Sequence, residues 1–266
     1  MSRAKPPERR KMIRATVART SRISRNFVTV TLTGEELAEF EHQGFDQCVR
    51  LFFRRDGQDI LNMPTFSNNA WLAQFLLTRV TNRPWVRNYT VRAFRTDPLE
   101  MDIEFALHGD TGPASVFATS AQPGDPVGIF DEGIGYLPAA DAARQLIVAD
   151  ESAVPAALAI LEGAPETLQA DVYLEVPDAD DIREVETPAD VTVHWLARNG
   201  SGDVPGNLAL RTLRSSSFSV VPQYTWVAGE SALVTGVRRY LVQEVSVPRS
   251  TVTFIGYWRY GRASPG

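Results

Sequence analysis

The period of the apolar residues changes once along this chain, near its middle, and that change restricts the fold more than any other feature. From Met12 to about Asp131 short segments alternate apolar with polar residues and are rich in Val, Thr, Phe and Arg. Alternation of period two is the mark of a half-buried strand. The spacing predicts strands at 12–21, 25–33, 49–55, 86–93, 101–108 and 125–130. Turn signals separate them, among them Asp56-Gly57 and the Gly34-Glu35-Glu36-Leu37 entry to a short helix. Six short strands of this kind predict a small antiparallel β-barrel. From residue 144 the pattern becomes continuous apolar runs, at 145–149, 171–176, 191–196, 224–228 and 251–257, with helices expected at 153–161 and 231–244. Such runs are buried on both faces, and their alternation with helices predicts a parallel sheet in an α/β domain. The boundary lies in 131–143, where Gly133, Gly135 and Pro138 mark a linker, giving domains 1–135 and 136–266. A barrel followed by an α/β domain leaves a cleft, a common location for cofactors.

Composition narrows the function classes. With 266 residues, 44% hydrophobic and 22% charged, the chain has material for two medium domains. A net charge of -5 argues against a general nucleic-acid binder. No apolar run approaches a bilayer span and no signal-peptide core is visible, so no integral membrane segment and a cytoplasmic location are expected. One cysteine, Cys48, and three dispersed histidines, His42, His108 and His194, predict neither a disulfide framework nor a metal site. Charge is uneven: residues 1–25 are strongly basic, and 178–190 are acidic.

Four stretches carry candidate chemistry. Arg87-Asn88-Tyr89-Thr90-Val91-Arg92 places Arg87 and Tyr89 on one face of a strand and Asn88, Thr90 and Arg92 on the other. Gly109-Asp110-Thr111-Gly112-Pro113-Ala114-Ser115 opens a helix after a strand, the arrangement in which glycine permits close approach and helical N–H groups face an anion. An ordinary Gly-Pro helix start is the structural alternative. In the second half, Asp150-Glu151-Ser152 and Gly229-Glu230-Ser231 each follow a buried strand, and in open α/β sheets ligands lie beyond those ends. Helix capping by Ser152, Glu151 or Glu230 is the alternative there. Glu175, at the end of another strand, is expected to welcome ribose hydroxyls and so to favour NADH, whereas Arg198, Arg211, Arg214 and Arg238 are candidates for gathering a phosphate.

Arg87-Asn88-Tyr89-Thr90 resembles the Arg-x-Tyr-Ser/Thr flavin motif of the ferredoxin-reductase superfamily, and the surrounding segments resemble the siderophore-interacting proteins within it. His108-Gly109 with Gly112-Pro113-Ala114-Ser115 looks like the second flavin segment of that family. The run from Ala149 to Pro155, then Val227-Ala228-Gly229-Glu230-Ser231 and Gly256-Tyr257-Trp258-Arg259-Tyr260-Gly261, follow in the same order. The resemblance implies a cytoplasmic flavoenzyme that carries FAD and uses NADH or NADPH to reduce iron(III) in a siderophore.

It also implies residue roles. Arg87 would hold the FAD pyrophosphate, Tyr89 would lie against the isoalloxazine, and Thr90 would hydrogen-bond the ring, with Tyr89 and Thr90 at the reacting centre. Arg92, His108, Gly109, Thr111, Gly112, Ala114 and Ser115 would complete the flavin site. Asp150, Glu151, Ser152, Gly229 and Glu230 would border the nicotinamide, and Tyr257, Trp258 and above all Arg259 would meet the anionic ferric siderophore. Phe117 stands where the family often has Trp, and Phe130-Asp131-Glu132-Gly133 replaces a Gly-Pro-x-Gly segment. Lys5 and Lys11 are the only lysines, so arginine would take over lysine contacts. A monomer is expected. The other readings are a general flavin-dependent electron-transfer reductase and a non-enzymatic siderophore-binding protein.

Overall fold

Pairing closes the first six strands on themselves in a computed structural model that describes residues 5–68, 70–107, 112–216 and 220–262. The strands are β1 (Met12–Arg22), β2 (Phe27–Thr33), β3 (Cys48–Phe53), β4 (Trp85–Thr96), β5 (Leu99–Ala106) and β6 (Pro126–Gly133). They form a closed antiparallel barrel in the order β1-β2-β5-β4-β3-β6. The closing pair is β1 with β6, in register from Met12 opposite Phe130 to Thr16 opposite Pro126. Closure leaves no exposed edge to recruit another chain.

The alternation read from the sequence is what fills this barrel. Ile13, Ala15 and Val17 of β1, Val28, Val30 and Leu32 of β2, Val49, Leu51 and Phe53 of β3, and Val127 and Ile129 of β6 are all buried in one cluster. On the outer face Phe52 and Phe130 are covered by helix α1 (Ala70–Leu77) through Trp71 and Phe75. The Trp71 ring meets Phe52 edge-on at 5.6 Å and Phe130 at 5.9 Å. Helix α2 (Pro113–Ser120) lies between β5 and β6, and its Phe117 stacks on Phe53 at 4.7 Å. The sequence reading lacks α1, an eight-residue helix with no charged residue, although the Asn68 side chain accepts from the Ala70 N–H at 2.9 Å at its start.

A second compact unit begins where the barrel unit, Lys5–Ile134, ends. At the join Gly133 has φ +87, and a Cβ there would lie 2.0 Å from the Lys5 carbonyl oxygen. Only glycine lets the chain leave the barrel beside that backbone. The start of the expected linker, Asp131 to Gly133, is the end of β6: Asp131 accepts from Gln47 Nε2 and from the Gly133 N–H, each at 2.8 Å. Glu132 pairs with Arg50.

The second unit holds a five-stranded parallel sheet, β7 (Arg144–Ala149), β8 (Gln169–Val176), β9 (Val191–Ala197), β10 (Tyr224–Glu230) and β11 (Val252–Trp258), in the order β11-β10-β7-β8-β9. Helices α3 (Val154–Glu162), α4 (Asn207–Ser215) and α5 (Ser231–Gln243) accompany it. The apolar runs behave as expected: Leu146 to Ala149 are buried, as is α3 from Val154 to Leu161. This two-part architecture is the one predicted. Helix α4 has no counterpart in the sequence reading; it enters through Gly206 at φ +90, beside Leu233, and buries Ala209 and Leu213. No helix among the described residues is long and apolar enough to cross a membrane.

Candidate functional site

In the barrel unit the site grows from β4. Its pairing with β3 sets Trp85 opposite Phe53, Arg87 opposite Leu51 and Tyr89 opposite Val49. Those partners are barrel-core residues, so Trp85, Arg87 and Tyr89 share the core-side face. Tyr89 packs on Phe105 with ring centroids 4.2 Å apart, and burial pushes its phenol pKa up. Thr90, opposite Cys48, is buried on the other face. The strand does not end there; it continues to Thr96, with a bulge between Val91 and Ala93. The Thr90 side chain therefore leaves the Arg87–Tyr89 face, and what it can present there is backbone. Arg92 sits in the bulge, 3.7 Å from the buried Glu104 carboxylate. Its charge is thus partly committed inside the barrel wall.

Two guanidinium groups meet the Trp85 ring, Arg55 at 3.8 Å from its centroid and Arg87 at 5.3 Å. Arg55 Nε is buried with no hydrogen-bond partner. Burial lowers the Arg55 pKa, and the charges of Arg87 and Arg83 lower it further. Arg83 is turned to the last turn of α1, donating to the Thr78 carbonyl at 2.8 Å and to that of Leu76. Among the described residues none of these three cations has an ion-pair partner. A cavity of about 370 Å³ opens beside Arg55 and Trp85, lined also by Pro113, Val116, Phe117, Asp56 and Asp125, the last of these paired with Arg54. The first turn of α2 contributes Pro113, and N–H groups of a first turn have no acceptor inside their own helix. Three uncompensated cations, an unsatisfied buried donor and an aromatic wall fit a nucleotide pyrophosphate. Gly112, Ala114 and Ser115 start α2 as expected; His108, Gly109 and Thr111 lie outside the described residues. The sequence reading missed Arg55 and Trp85, although Trp85 and Arg87 sit at strand spacing.

In the α/β unit the predicted residues meet at the carboxyl ends of adjacent strands, because β7 pairs with β10 and β10 with β11. Their carboxylates, however, are internal fasteners. Asp150 is fully buried; its Oδ1 accepts from the Ser152 N–H at 2.9 Å and hydroxyl at 2.6 Å, and its Oδ2 accepts from the Glu230 N–H at 2.5 Å and Trp258 Nε1 at 3.1 Å. Burial, aided by neighbouring Glu151, pushes the Asp150 pKa up to about 7 against the pull of those donors. Gly229 makes room for this: at φ +132, a Cβ would stand 2.5 Å from Asp150 Cγ. Glu230 caps α5 through the Ala232 and Leu233 N–H groups and also accepts from the Tyr260 N–H at 3.1 Å.

The same holds for Glu151 and Glu175. Arg198 donates twice to Glu151, at 2.7 and 2.8 Å, and once to Glu175 at 2.8 Å. Glu175 accepts from the Gly206 and Ala209 N–H groups, each at 2.7 Å, and so caps α4. Burial opposes the Arg198 charge, but Glu151 and Glu175 outweigh it and hold that pKa above its usual value. The expectation that Glu175 greets ribose hydroxyls is corrected, since it is fully buried and saturated with donors. As a phosphate gatherer Arg198 is likewise corrected, because it is enclosed with Glu151 and Glu175, whereas Arg211 and Arg214 form exposed pairs with Asp203 and Glu244. Sequence spacing marks strand ends but does not tell a carboxylate that caps a helix from one that faces a ligand.

At the C-terminal end, Trp258 is held by Asp150, and the Ser231 hydroxyl donates to the Trp258 carbonyl at 2.8 Å. Tyr257 is half-buried on the last strand. Arg259 is exposed on a turn that closes through the Arg262 N–H to the Arg259 carbonyl, at 3.1 Å. Among the described residues no group of three His, Cys, Asp or Glu side chains could hold a metal.

Residues 16–134 match the siderophore-interacting FAD-binding domain, and residues 142–261 match the siderophore-interacting protein family. The chain is 32% identical over 247 residues to the ferric vibriobactin reductase ViuB of Vibrio cholerae, covering 90% of this chain and 86% of that one. It is 29% identical over 248 residues to the NADPH-dependent ferric-chelate reductase of Escherichia coli, covering 91% of each. A siderophore utilization protein from T. fusca superimposes with a TM-score of 0.83 at 29% identity, over 100% of this chain and 98% of the other. These matches run through both units in order, and the chain belongs to the siderophore-interacting protein family.

Proposed function

We propose that this protein is an FAD-dependent reductase that uses NADH or NADPH to reduce iron(III) in a siderophore to iron(II). The observation that carries this is the uncompensated Arg55–Trp85–Arg87 cluster beside the start of α2, which fits the pyrophosphate of a flavin nucleotide. The relatives named as ferric vibriobactin reductase and ferric-chelate reductase support the substrate class. FAD supplies two-electron uptake from the nicotinamide and one-electron delivery to each of two iron(III) ions, which hard oxygen chelators hold more weakly once reduced.

The chain's own residues would bind and orient. Arg87 and Arg55 would neutralise the two phosphates, and the N–H groups at Ala114 and Ser115 would add donors. Tyr89, fixed against Phe105, would offer an aromatic surface to the ring, and Thr90 would contribute its backbone. Ser152 and the Gly229–Glu230 segment would border the nicotinamide through backbone groups, because the carboxylates of Asp150, Glu151 and Glu230 are occupied. Arg259 would attract the anionic ferric complex. Action as a monomer in the cytoplasm forms part of the same proposal.

Reconstitution tests it. The purified protein should turn yellow with FAD and reduce both a catecholate and a hydroxamate ferric complex with NADH or NADPH. Arg259→Ala should raise KM for the ferric complex and leave FAD content unchanged. A protein that takes up no FAD would overturn the reading; FAD uptake with reduction of protein acceptors alone would favour the general electron-transfer reductase.

A further inference from the structure

Helix α1 does not look like a surface helix of an ordinary barrel. Its sequence, Ala70 to Leu77, has seven apolar residues of eight and no charge. Trp71 and Phe75 account for the inward side. Leu72, Leu76 and Leu77 point away from the barrel and are 47%, 56% and 86% exposed. Phe66 just before the helix and Val80 just after it are 51% and 62% exposed. A helix apolar on all sides is normally covered on all sides, and a contiguous exposed patch marks a surface that something else meets.

Charge narrows what that is. From Ile60 to Thr96 the sequence holds five arginines and no Asp or Glu, within a chain of net charge -5. Arg92 and Arg95 are drawn to Glu104, Glu100 and Asp102 in the barrel wall. Arg79, exposed at the end of α1, and Arg83 have no ion-pair partner among the described residues. Asp56 and Asp59 are exposed on the loop that Gln58 ties to the Thr81 and Arg83 carbonyls, but Arg55, Arg79, Arg83 and Arg87, without ion-pair partners among the described residues, outnumber them. An apolar patch with such a net positive rim complements an anionic lipid surface, which takes up leucine side chains and attracts arginine. A second copy of the chain would bring the same positive rim to an isologous contact and repel itself.

The backbone is ready for such a surroundings. Carbonyls in the last turn of α1 would be costly to bury unpaired, and Arg83 already donates to those of Leu76 and Thr78. The Gln74 amide oxygen accepts from the Thr65 N–H at 2.8 Å, which pins the preceding loop to the helix. At eight residues the helix is far too short to span. We propose that the face formed by Phe66, Leu72, Leu76, Leu77, Arg79 and Val80 is a peripheral docking surface for an anionic bilayer. This does not depend on the reductase reading.

The test is flotation of the full-length, FAD-supplemented protein with vesicles of phosphatidylcholine alone or of equimolar phosphatidylglycerol and phosphatidylcholine. Binding is expected to the anionic vesicles and to weaken as salt is raised. Leu76→Ser with Leu77→Ser should lower partitioning roughly a hundredfold, from the apolar area lost. Arg79→Glu, which leaves the apolar patch intact and sits on an exposed residue, should lower it roughly tenfold. Ferric reduction in solution should be unchanged in both variants. Absence of binding to anionic vesicles, or equal binding to both kinds, would overturn the proposal. So would a dimer in light scattering that the leucine variants convert to monomer.

Discussion

Arg55→Met separates two effects that one arginine combines. Methionine keeps an unbranched, polarizable side chain over Trp85, where the guanidinium now lies at 3.8 Å, while removing the charge. Distances of 3.8 and 5.3 Å from the same ring place Arg55 and Arg87 within about 9 Å of each other. At that separation the repulsion is about 2 kcal/mol for an effective dielectric near 20 and about 0.5 kcal/mol for that of water. Partial exposure brings it toward the lower figure. The exchange also removes the buried Nε that has no acceptor. Without flavin, then, the variant should be as stable as the parent or more stable, by a fraction of the roughly 1 kcal/mol scale of such groups. With FAD the sign reverses, because a charge-assisted hydrogen bond to phosphate contributes roughly 1.5–3 kcal/mol, or about ten- to a hundredfold in Kd. Thermal midpoints of the flavin-free protein, together with FAD titration by fluorescence quenching, measure both. A destabilised flavin-free variant with unchanged FAD affinity would refute the assignment and return Arg55 to a packing role.

Asp150 supplies a pH prediction: with its pKa pushed up to about 7 by burial, the folded state holds a proton that the unfolded chain has released. Its contribution to stability is complete below the ordinary aspartate range near 4 and is lost as pH rises through about 7. The Trp258 fluorescence should titrate over the same interval, since its indole donates to this carboxylate, and Asp150→Asn should flatten both curves. Gly229→Ala places a Cβ 2.5 Å from Asp150 Cγ at a φ of +132, so a loss of about 2 kcal/mol or more is expected from denaturant unfolding. Arg198→Met leaves Glu151 and Glu175 buried without their cation and should cost roughly 3–5 kcal/mol; a variant as stable as the parent would show that α4 capping alone satisfies Glu175.

The two-part fold was legible in the sequence because period is a local property. Val49, Leu51 and Phe53 alternate with Arg50 and Phe52 whatever they face, and Leu146 to Ala149 are apolar throughout because both sides of β7 are covered. The Arg87–Tyr89 pair was legible for the same reason, since strand geometry alone puts them on one face. Only the tertiary structure decided what the remaining polar residues do. Arg55 reaches Trp85 because β3 pairs with β4, a register set across more than thirty residues of intervening chain. Glu175 faces Arg198 and the start of α4 rather than a ribose because β8 lies beside β9 and α4 packs at its end. A carboxylate at a strand terminus is the same three letters in a sequence whether it caps a helix or meets a ligand; the partner that the fold brings to it, and the burial that follows, settle which.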